Sequence, residues 1–463
     1  MVFSSITFLY YFLPILLFIY IIVPSKFKNI VLLLFSFLFY FYGEPKYIII
    51  LLLSCVINYI AGSLIEKYIE YSKKILIGVI VYNIGQLIYF KYTNFFIVNI
   101  NGIFNLDINL FRIVMPIGIS FFTFQTLSYV VDVYRKEVEA SKNFFDFATY
   151  LSLFPQLVAG PIVRYKTVAD ELKNRKMNFT DFSSGVKRFT IGLAKKVLLA
   201  NVLGELCSVL VGMEEVTVLS SWLNAISFTL QIYFDFSGYS DMAIGLGLMF
   251  GFHFLENFNY PLIASSITDF WRRWHISLSS FFRDYVYIPL GGNRVSKIKW
   301  IRNIFVVWLL TGFWHGAAWN FIIWGLYFAI LLLLEKNIWG SKISKTKIIK
   351  YFYTLFLVVI SFVIFNASSF SEVLVSFKNL FMLNDLEIIN FETVYHIRNY
   401  LFVIIMAVVA ATPLIKNIIN KIYNKRFKLI IDIAEPIYYL LLLIIVTSFL
   451  IDSSFNPFLY FRF

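Results

Sequence analysis

The stretch that decides the fold runs from Trp300 to Glu335 and reads WIRNIFVVWLLTGFWHGAAWNFIIWGLYFAILLLLE. It is almost entirely apolar, yet His315 stands near its middle, between Trp314 and Gly316. An ionisable side chain inside an oily segment costs free energy, so residues of this kind usually serve a function. His315 is therefore the first candidate for a functional residue.

Basic residues flank this stretch on both sides: Arg283, Arg294, Lys297 and Lys299 before it, and Lys336, Lys342, Lys345, Lys347 and Lys350 after it. Because lysine and arginine favour the cytoplasmic side of a membrane, both ends are predicted to lie there. The 35 residues from Trp300 to Leu334 are too few for two full spans and a turn, which need about 40 residues. The pattern predicts a shallow hairpin or two tightly joined helices. Fifteen helical residues, about 22 Å, would take His315 deep into the membrane.

The composition of the whole chain excludes an ordinary soluble protein. Hydrophobic residues make up 60% of it and charged residues only 14%, whereas charged residues approach a quarter of a soluble domain. Many apolar runs approach the length of a membrane span, so the chain is predicted to be an all-α polytopic membrane protein with roughly 10–12 embedded helices, plus re-entrant and interfacial helices. The net charge is +13, and the lysines and arginines that produce it lie between apolar runs. This distribution favours anionic lipids and not nucleic acid as the partner.

Charge asymmetry predicts the orientation. The uncharged start, Ile6 to Val23, lacks the features of a cleaved signal peptide and is expected to stay as the first span. The proposed inner loops hold Lys26, Lys28, Lys67, Lys73, Lys74, Arg135, Lys136 and Lys142, and the outer loops hold Lys46, Lys91 and Arg112. This bias places the N-terminus outside.

Three further segments carry specific expectations. Phe144 to Val163 is broken by Pro155 and by Gly160-Pro161, which predicts a re-entrant hairpin. Lys91 to Phe111 and Ser368 to Asn399 are polar and are expected to be outer loops.

The segment from Asn257 to Arg302 is amphipathic and rich in tryptophan and arginine, with Trp271, Arg272, Arg273 and Trp274 close together. This composition favours a helix lying at the cytoplasmic membrane interface.

Polar side chains also interrupt the predicted span Trp222 to Phe252. Gln231 and Asp235 are four residues apart, so they share one face of a helix. They serve either hydrogen bonding between helices or the lining of a polar internal cavity. The sequence leaves both alternatives open.

Eliminating other chemistries leaves histidine as the candidate catalytic residue. The chain has no G-x-S-x-G motif, no metal-ligand spacing and no phosphate-binding glycine loop, and its two cysteines have no charged neighbours that would favour a thiolate. Among the four histidines, His253 favours a capping or interface role and His396 a solvated one. His275 is either an interfacial hydrogen-bonding residue or part of a site. His315, if buried and neutral, is suited to act as a general base.

Five stretches carry a resemblance to a known family: PIGISFFTFQTLSYVVDVYR, FPQLVAGPIVRY, QIYFDFSGYSDMAIGLGLMFGF, FWRRWHISLSSFFRDYVYIPLGGNR and TGFWHGAAWNFIIWGLYF. Together they closely resemble the alginate O-acetyltransferase-like branch of the bacterial membrane-bound O-acyltransferases. The N-terminal VFSSITFLYYFLP and FYGEPKY and the C-terminal NPFLYFRF are similar to that branch too. The resemblance therefore implies one domain over residues 1–463, built as a helical bundle around a central tunnel.

The resemblance implies that His315 is the catalytic residue and that His275 occupies a second site position. It implies transfer of an acyl group, expected to be acetyl, from a cytoplasmic thioester such as acetyl-CoA to an extracellular or cell-wall polysaccharide. No tightly bound cofactor or metal is expected. Arg272 and Arg273, together with Asp235 and Gln231, are candidates for binding donor or acceptor.

The implied location is the bacterial cytoplasmic membrane, with an exported partner resembling SGNH-type esterases. Two alternatives stand beside this function. One is D-alanyl transfer to teichoic acid, the activity of a sister branch. The other is a transporter or lipid flippase without acyl chemistry, which would not explain a lone deep histidine between tryptophans.

Overall fold

The structure is a computed structural model that describes residues 1–158, 160–423 and 428–452. All regular secondary structure in these residues is helical. The chain forms two compact units, Met1–Phe189 with Ser240–Glu256, and Thr190–Tyr239 with Asn257–Phe463. The prediction of an all-α polytopic protein is confirmed.

The helices of the first unit are, in chain order, α1 (Leu13–Ile22), α2 (Lys28–Gly43), α3 (Ile48–Lys67), α4 (Ser72–Leu87), α5 (Thr93–Phe104), α6 (Ile119–Tyr134), α7 (Phe144–Ser152), α8 (Phe154–Leu157), α9 (Tyr165–Asn174) and most of α10 (Phe179–Ala194). Hydrogen bonds between polar side chains connect neighbouring helices of this unit. Asn58 on α3 and Asn83 on α4 exchange amide hydrogen bonds of 3.1 and 2.8 Å. Such contacts between apolar helices replace the hydrophobic driving force that lipid surroundings remove.

The second unit contains α11 (Val202–Val211), most of α12 (Val218–Met249), α13 (Ile267–Arg273), α14 (Ile276–Phe282), α15 (Lys297–His315), α16 (Trp319–Leu334), α17 (Gly340–Ile343), α18 (Ile349–Asn366), α19 (Phe370–Leu380), α20 (Phe391–Ala410), α21 (Leu414–Ile422) and α22 (Lys428–Asp452). A π-helical stretch, Lys195–Asn201, joins α10 to α11, and another, Glu335–Trp339, follows α16.

Helices α15 and α16 form the predicted hairpin, which residues 316–318 connect. Two glycines let the helices pack closely. A Cβ atom at Gly312 would collide with the backbone oxygen of Phe321, and one at Gly325 with that of Trp308. The alternative of two tightly joined helices is thus the correct one for the stretch Trp300 to Leu334.

Seven helical segments among the described residues are long and apolar enough to cross a membrane: Ser25–Gly43, Ile48–Lys67, Ile69–Phe104, Trp319–Ile343, Ile349–Asn366, Phe391–Ala410 and Lys428–Asp452. The chain is therefore a multi-pass membrane protein. The larger number of embedded helices, the central tunnel and the single domain over residues 1–463 stay predictions.

Both predicted outer loops contain helices. Lys91 to Phe111 holds α5, which ends at Asn105 in a left-handed conformation (φ 49°) that asparagine tolerates well. Ser368 to Asn399 holds α19 and the start of α20. Ser369 and Asn390 cap these two helices, accepting hydrogen bonds from the N–H groups of Glu372 and Thr393. The loop predictions were wrong because polar residues that cap helices resemble loop residues in composition.

The predicted re-entrant segment, Phe144 to Val163, consists of α7 and α8 followed by irregular chain. Leu153, with ψ 111°, separates the two helices. The segment is thus broken near Pro155, as predicted, and its depth in the membrane stays a prediction. The C-terminal motif NPFLYFRF lies outside the described residues.

Candidate active site

His315 is the last residue of α15 and lies at the tip of the hairpin, with only 3% of its surface exposed. The helix ends there because Gly316 is extended (φ −169°) and the chain then enters α16 through Ala318. A Cβ atom at Gly316 would collide with the ring of Phe321. The glycine therefore permits the close turn that brings the start of α16 against His315.

Three aromatic rings surround the imidazole of His315. Its ring centre lies 4.9 Å from that of Trp314, 5.0 Å from that of Trp324 and 5.4 Å from that of Phe365. All three rings stand nearly perpendicular to it, at 74–84°, the edge-to-face arrangement that aromatic groups favour. This aromatic cage orients the imidazole and shields it from water.

His275 lies between α13 and α14, where the predicted interfacial helix is in fact broken. Its backbone is left-handed (φ 44°, ψ 55°), a conformation that costs a non-glycine residue about 1–2 kcal/mol. His275 is fully buried, and the neighbouring Trp271 and Trp274 are 8% and 3% exposed. These tryptophans pack into the core of the second unit and not on its surface, and the interfacial position of the segment stays a prediction.

The hydrogen bonds of His275 fix its tautomer. Its Nδ1 lies 3.2 Å from Oδ1 of Asn257, and the same oxygen accepts the backbone N–H and the hydroxyl of Ser277 at 3.2 and 2.9 Å. Because a backbone N–H can only donate, the atom of Asn257 is an acceptor and Nδ1 of His275 carries the proton. The lone pair of the neutral ring is then on Nε2, which is buried and has no hydrogen-bond partner among the described residues.

The structure brings His275 and His315 together around one tryptophan. The ring of Trp314 lies 5.9 Å from that of His275 and 4.9 Å from that of His315. Phe236 of α12 covers another side of His275 at 4.6 Å. His275 lies outside the seven candidate spans, and burial, followed by the effect of His315, lowers its pKa well below 6.5. His275 is therefore neutral at physiological pH.

Of the other four predicted site residues, two form ion pairs, one is exposed and one is buried. Asp235 forms an ion pair of 2.5 Å with Lys196, and both side chains are buried. Arg273 pairs with Asp269 at 2.8 Å, and Arg272 is exposed. Gln231 is buried on α12. A role of these four residues in binding donor or acceptor stays a prediction.

The two remaining histidines lie elsewhere. His253 is exposed in the first unit, with Nδ1 2.7 Å from Glu171 and Nε2 3.3 Å from Asp181. His396 lies on α20, 3.8 Å from Glu392, and not in a loop as predicted.

Two cavities open near the site in the second unit. The larger, of about 560 Å³, lies at the basic end of the hairpin and is lined by residues that include Trp300, Trp308, Glu335, Lys336 and Ser341. The ring of Trp308 lies 6.4 Å from that of Trp324, which contacts His315. The rings of Trp308 and Trp324 thus form a tryptophan layer that links the wall of this cavity to the cage of His315.

The smaller cavity, of about 170 Å³, is lined by Phe362 of α18 and by polar residues that include Asn224, Asn366, Glu372 and Asn379. Phe362 packs against Phe365 of the cage at 6.3 Å. Each cavity is thus lined by a residue that packs against the aromatic cage of His315. No group of three or more His, Cys, Asp or Glu side chains placed to hold a metal ion occurs in the part of the chain that the structure describes.

Sequence reasoning missed Asn257, Trp324, Phe365 and Glu335. Trp324 lies in the quoted hairpin, and its tryptophan-rich composition was a usable signal. Asn257 and Phe365 are 18 and 50 residues away from the histidines that they contact, and no local pattern marks them.

Comparison with known proteins identifies the family. Residues 135–376, just over half of the chain, match the family model of the membrane-bound O-acyltransferases, MBOAT. A probable alginate O-acetylase of Pseudomonas syringae pv. tomato is 43% identical over 80% of this chain and 73% of its own length. The peptidoglycan O-acetyltransferase of Helicobacter pylori is 33% identical over 98% of this chain and 90% of its own length.

A more distant relative is the teichoic acid D-alanyltransferase of Bacillus subtilis, which is 30% identical over 55% of this chain and 69% of its own length. The resemblance seen in the sequence motifs is thereby confirmed. The chain belongs to the membrane-bound O-acyltransferase family and is a membrane-bound acyltransferase.

Proposed function

We propose that this protein transfers an acyl group, acetyl, from a cytoplasmic thioester donor across the membrane for the O-acetylation of an extracellular or cell-wall polysaccharide. The observation that carries the proposal is the pair of buried histidines, His315 and His275, on either side of Trp314. Relatives that act on alginate, on peptidoglycan and on teichoic acid support acyl transfer to a polysaccharide.

His315 acts as the general base. Its neutral imidazole takes the proton from the acceptor hydroxyl as the oxygen attacks the thioester carbonyl. The carbon–sulfur bond then breaks, and the protonated imidazole returns its proton to the leaving thiolate. The aromatic cage excludes water, which would otherwise compete with the acceptor and hydrolyse the donor.

His275 orients the acceptor. Because Asn257 holds the proton on Nδ1, the Nε2 lone pair of His275 can accept a hydrogen bond but cannot donate one. It therefore suits the hydroxyl proton of the acceptor better than the developing oxyanion of the donor. This proposal gives a specific role to the second site position that the family resemblance implied.

The larger cavity supplies a route for the donor. Lys336 lines it, and Arg272 and Arg273 add positive charge on the neighbouring α13. Phosphate groups of acetyl-CoA would be drawn to this surface. The tryptophan layer between the cavity and His315 must part to admit the thioester.

The smaller cavity is the proposed entry for the acceptor. On this side, an exported protein resembling SGNH-type esterases receives the acetyl group and passes it to the polymer. The proposed location is the bacterial cytoplasmic membrane with the N-terminus outside, in contact with anionic lipids on the inner face. No tightly bound cofactor takes part.

The test is made in cells that contain the protein and its exported partner. The readout is ester-linked acetate on the surface polymer. His315→Ala should abolish acetylation while the protein still accumulates in the membrane. Full acetylation by this variant would exclude the catalytic role of His315. D-alanine esters in place of acetate would support the activity of the Bacillus relative, and solute transport without ester would favour a transporter or flippase.

A further inference from the structure

One face of α16 carries three side chains that contact the two histidine segments. Trp324 and Phe328 are four residues apart and Glu335 follows seven residues later, so all three project from one side of the helix. Trp324 packs against His315 at 5.0 Å, and Phe328 packs against Trp271 of α13 at 4.9 Å. Glu335, just beyond the end of α16, reaches the start of α13. The same helix therefore contacts His315 and the element that leads to His275.

Glu335 is a buried carboxylate, 8% exposed, whose bonds are directed at α13. It accepts the backbone N–H of Ile267 at 2.8 Å, the backbone N–H of Thr268 at 3.2 Å and the hydroxyl of Thr268 at 2.9 Å. A buried carboxylate is costly unless hydrogen bonds compensate it. Here the two N–H groups would otherwise be unsatisfied at the first turn of a helix.

The position of His275 depends on where α13 lies. This helix has seven residues, and His275 follows it with only Trp274 between them. A helix of two turns is not stable by itself and takes its position from its contacts. Ser266 satisfies the N–H of Asp269 from within the segment, whereas Glu335 ties the segment to α16.

We propose that Glu335 is a positioning residue that sets the place of His275 relative to His315. It fixes the beginning of α13 on the same helix that holds Trp324 against His315. Loss of its hydrogen bonds lets α13 shift, and His275 moves with it while His315 stays in its cage. The kinetic part of this inference rests on the proposed acyl transfer, whereas the structural part does not.

The experiment compares Glu335→Ala, Glu335→Gln and Asn337→Ala in purified, lipid-reconstituted protein. Asn337 is an exposed neighbour that bonds only within its own helix, to the carbonyl of Leu333 at 2.7 Å, and its variant should behave as wild type. The first readout is hydrogen–deuterium exchange of residues 267–275. The second is the rate of ester formation with acetyl-CoA, separated into kcat and donor KM.

Glu335→Ala should raise exchange in residues 267–275 and lower kcat by about 10- to 100-fold, as expected when a reacting group is displaced by about 1 Å. Donor KM should change less than about threefold, because the interaction positions a catalytic group and does not bind the donor. Glu335→Gln keeps one of the two accepting oxygens and places an NH2 group at the other, so it should recover only part of kcat, to a value between those of Glu335→Ala and wild type.

Unchanged exchange in Glu335→Ala would overturn the inference whatever the enzyme does. An equal fall in kcat in the alanine and glutamine variants would also overturn it. So would a rise in donor KM without a change in kcat, which would point to donor binding, since Glu335 also lines the larger cavity. If the wild-type protein forms no ester while Glu335→Ala still raises exchange, the proposed function fails and the anchoring of α13 stands.

Discussion

His275 donates its Nδ1 proton to Oδ1 of Asn257 across 3.2 Å, and this bond decides which nitrogen faces the active site. The tautomer is thus set by a residue 18 positions earlier in the chain, in the segment that precedes α13. Partners of this kind orient histidines in many catalytic sites.

Replacing Asn257 by alanine should lower kcat by about 10- to 100-fold, because His275 loses the acceptor that fixes its tautomer and orientation. The pH profile of kcat should also change, since Nδ1 of His275 becomes free to exchange its proton. Asn259→Ala, at an exposed position nearby, is the matched control. A profile identical to wild type in Asn257→Ala would show that the tautomer of His275 does not matter to the reaction.

The buried ion pair of Lys196 and Asp235 should affect the free energy of unfolding more than the rate of acyl transfer. Asp235→Asn breaks an ion pair whose side chains are 4% and 2% exposed, and the expected loss is about 3–5 kcal/mol of unfolding free energy. The double variant Lys196→Met with Asp235→Leu should be less destabilised than either single one. Thermal unfolding in detergent measures this. A stable Asp235→Asn protein with a raised donor KM would instead support the role of Asp235 in donor binding.

His253 should make the first unit more stable at acidic pH. Its hydrogen bond to Glu171 raises its pKa above the ordinary 6.5, and the charge of Asp181 acts in the same direction. The stabilisation is therefore complete below about pH 6.5 and declines as pH rises through the folded-state pKa. The difference in Tm between wild type and His253→Gln should be largest near pH 6 and should shrink toward pH 9. A Tm difference that does not change with pH would show that the ion pairs of His253 do not stabilise the first unit.

The hairpin with His315 near its middle could be predicted from sequence because it depends on features that lie close together in the chain. Basic flanks, an apolar run too short for two spans, and glycines at 312 and 316 all point to the same structure. The resemblance added His275, which the residues alone left undecided. The aromatic cage and the tautomer could not be predicted, because Phe365 and Asn257 reach the histidines only through tertiary packing.

The errors have physical causes as well. The Trp271–Trp274 segment combines arginine with tryptophan, as interfacial helices do, but the helix is broken at His275 and both tryptophans are buried in the protein. Polar caps such as Ser369 and Asn390 resemble loop residues in composition, although they begin helices. The tryptophans instead fill the core of the second unit, and the polar caps satisfy backbone N–H groups at the start of a helix.

The left-handed backbone at residue 275 has an evolutionary consequence. Selection for robustness alone would favour glycine or asparagine there, since both adopt this conformation with little or no penalty. An imidazole at this position means that the protein gives up about 1–2 kcal/mol of folding free energy. A variant at residue 275 therefore gains stability only where this backbone term exceeds the packing of the lost imidazole, and a screen for thermal tolerance needs an acyl-transfer assay at every round to detect such a loss.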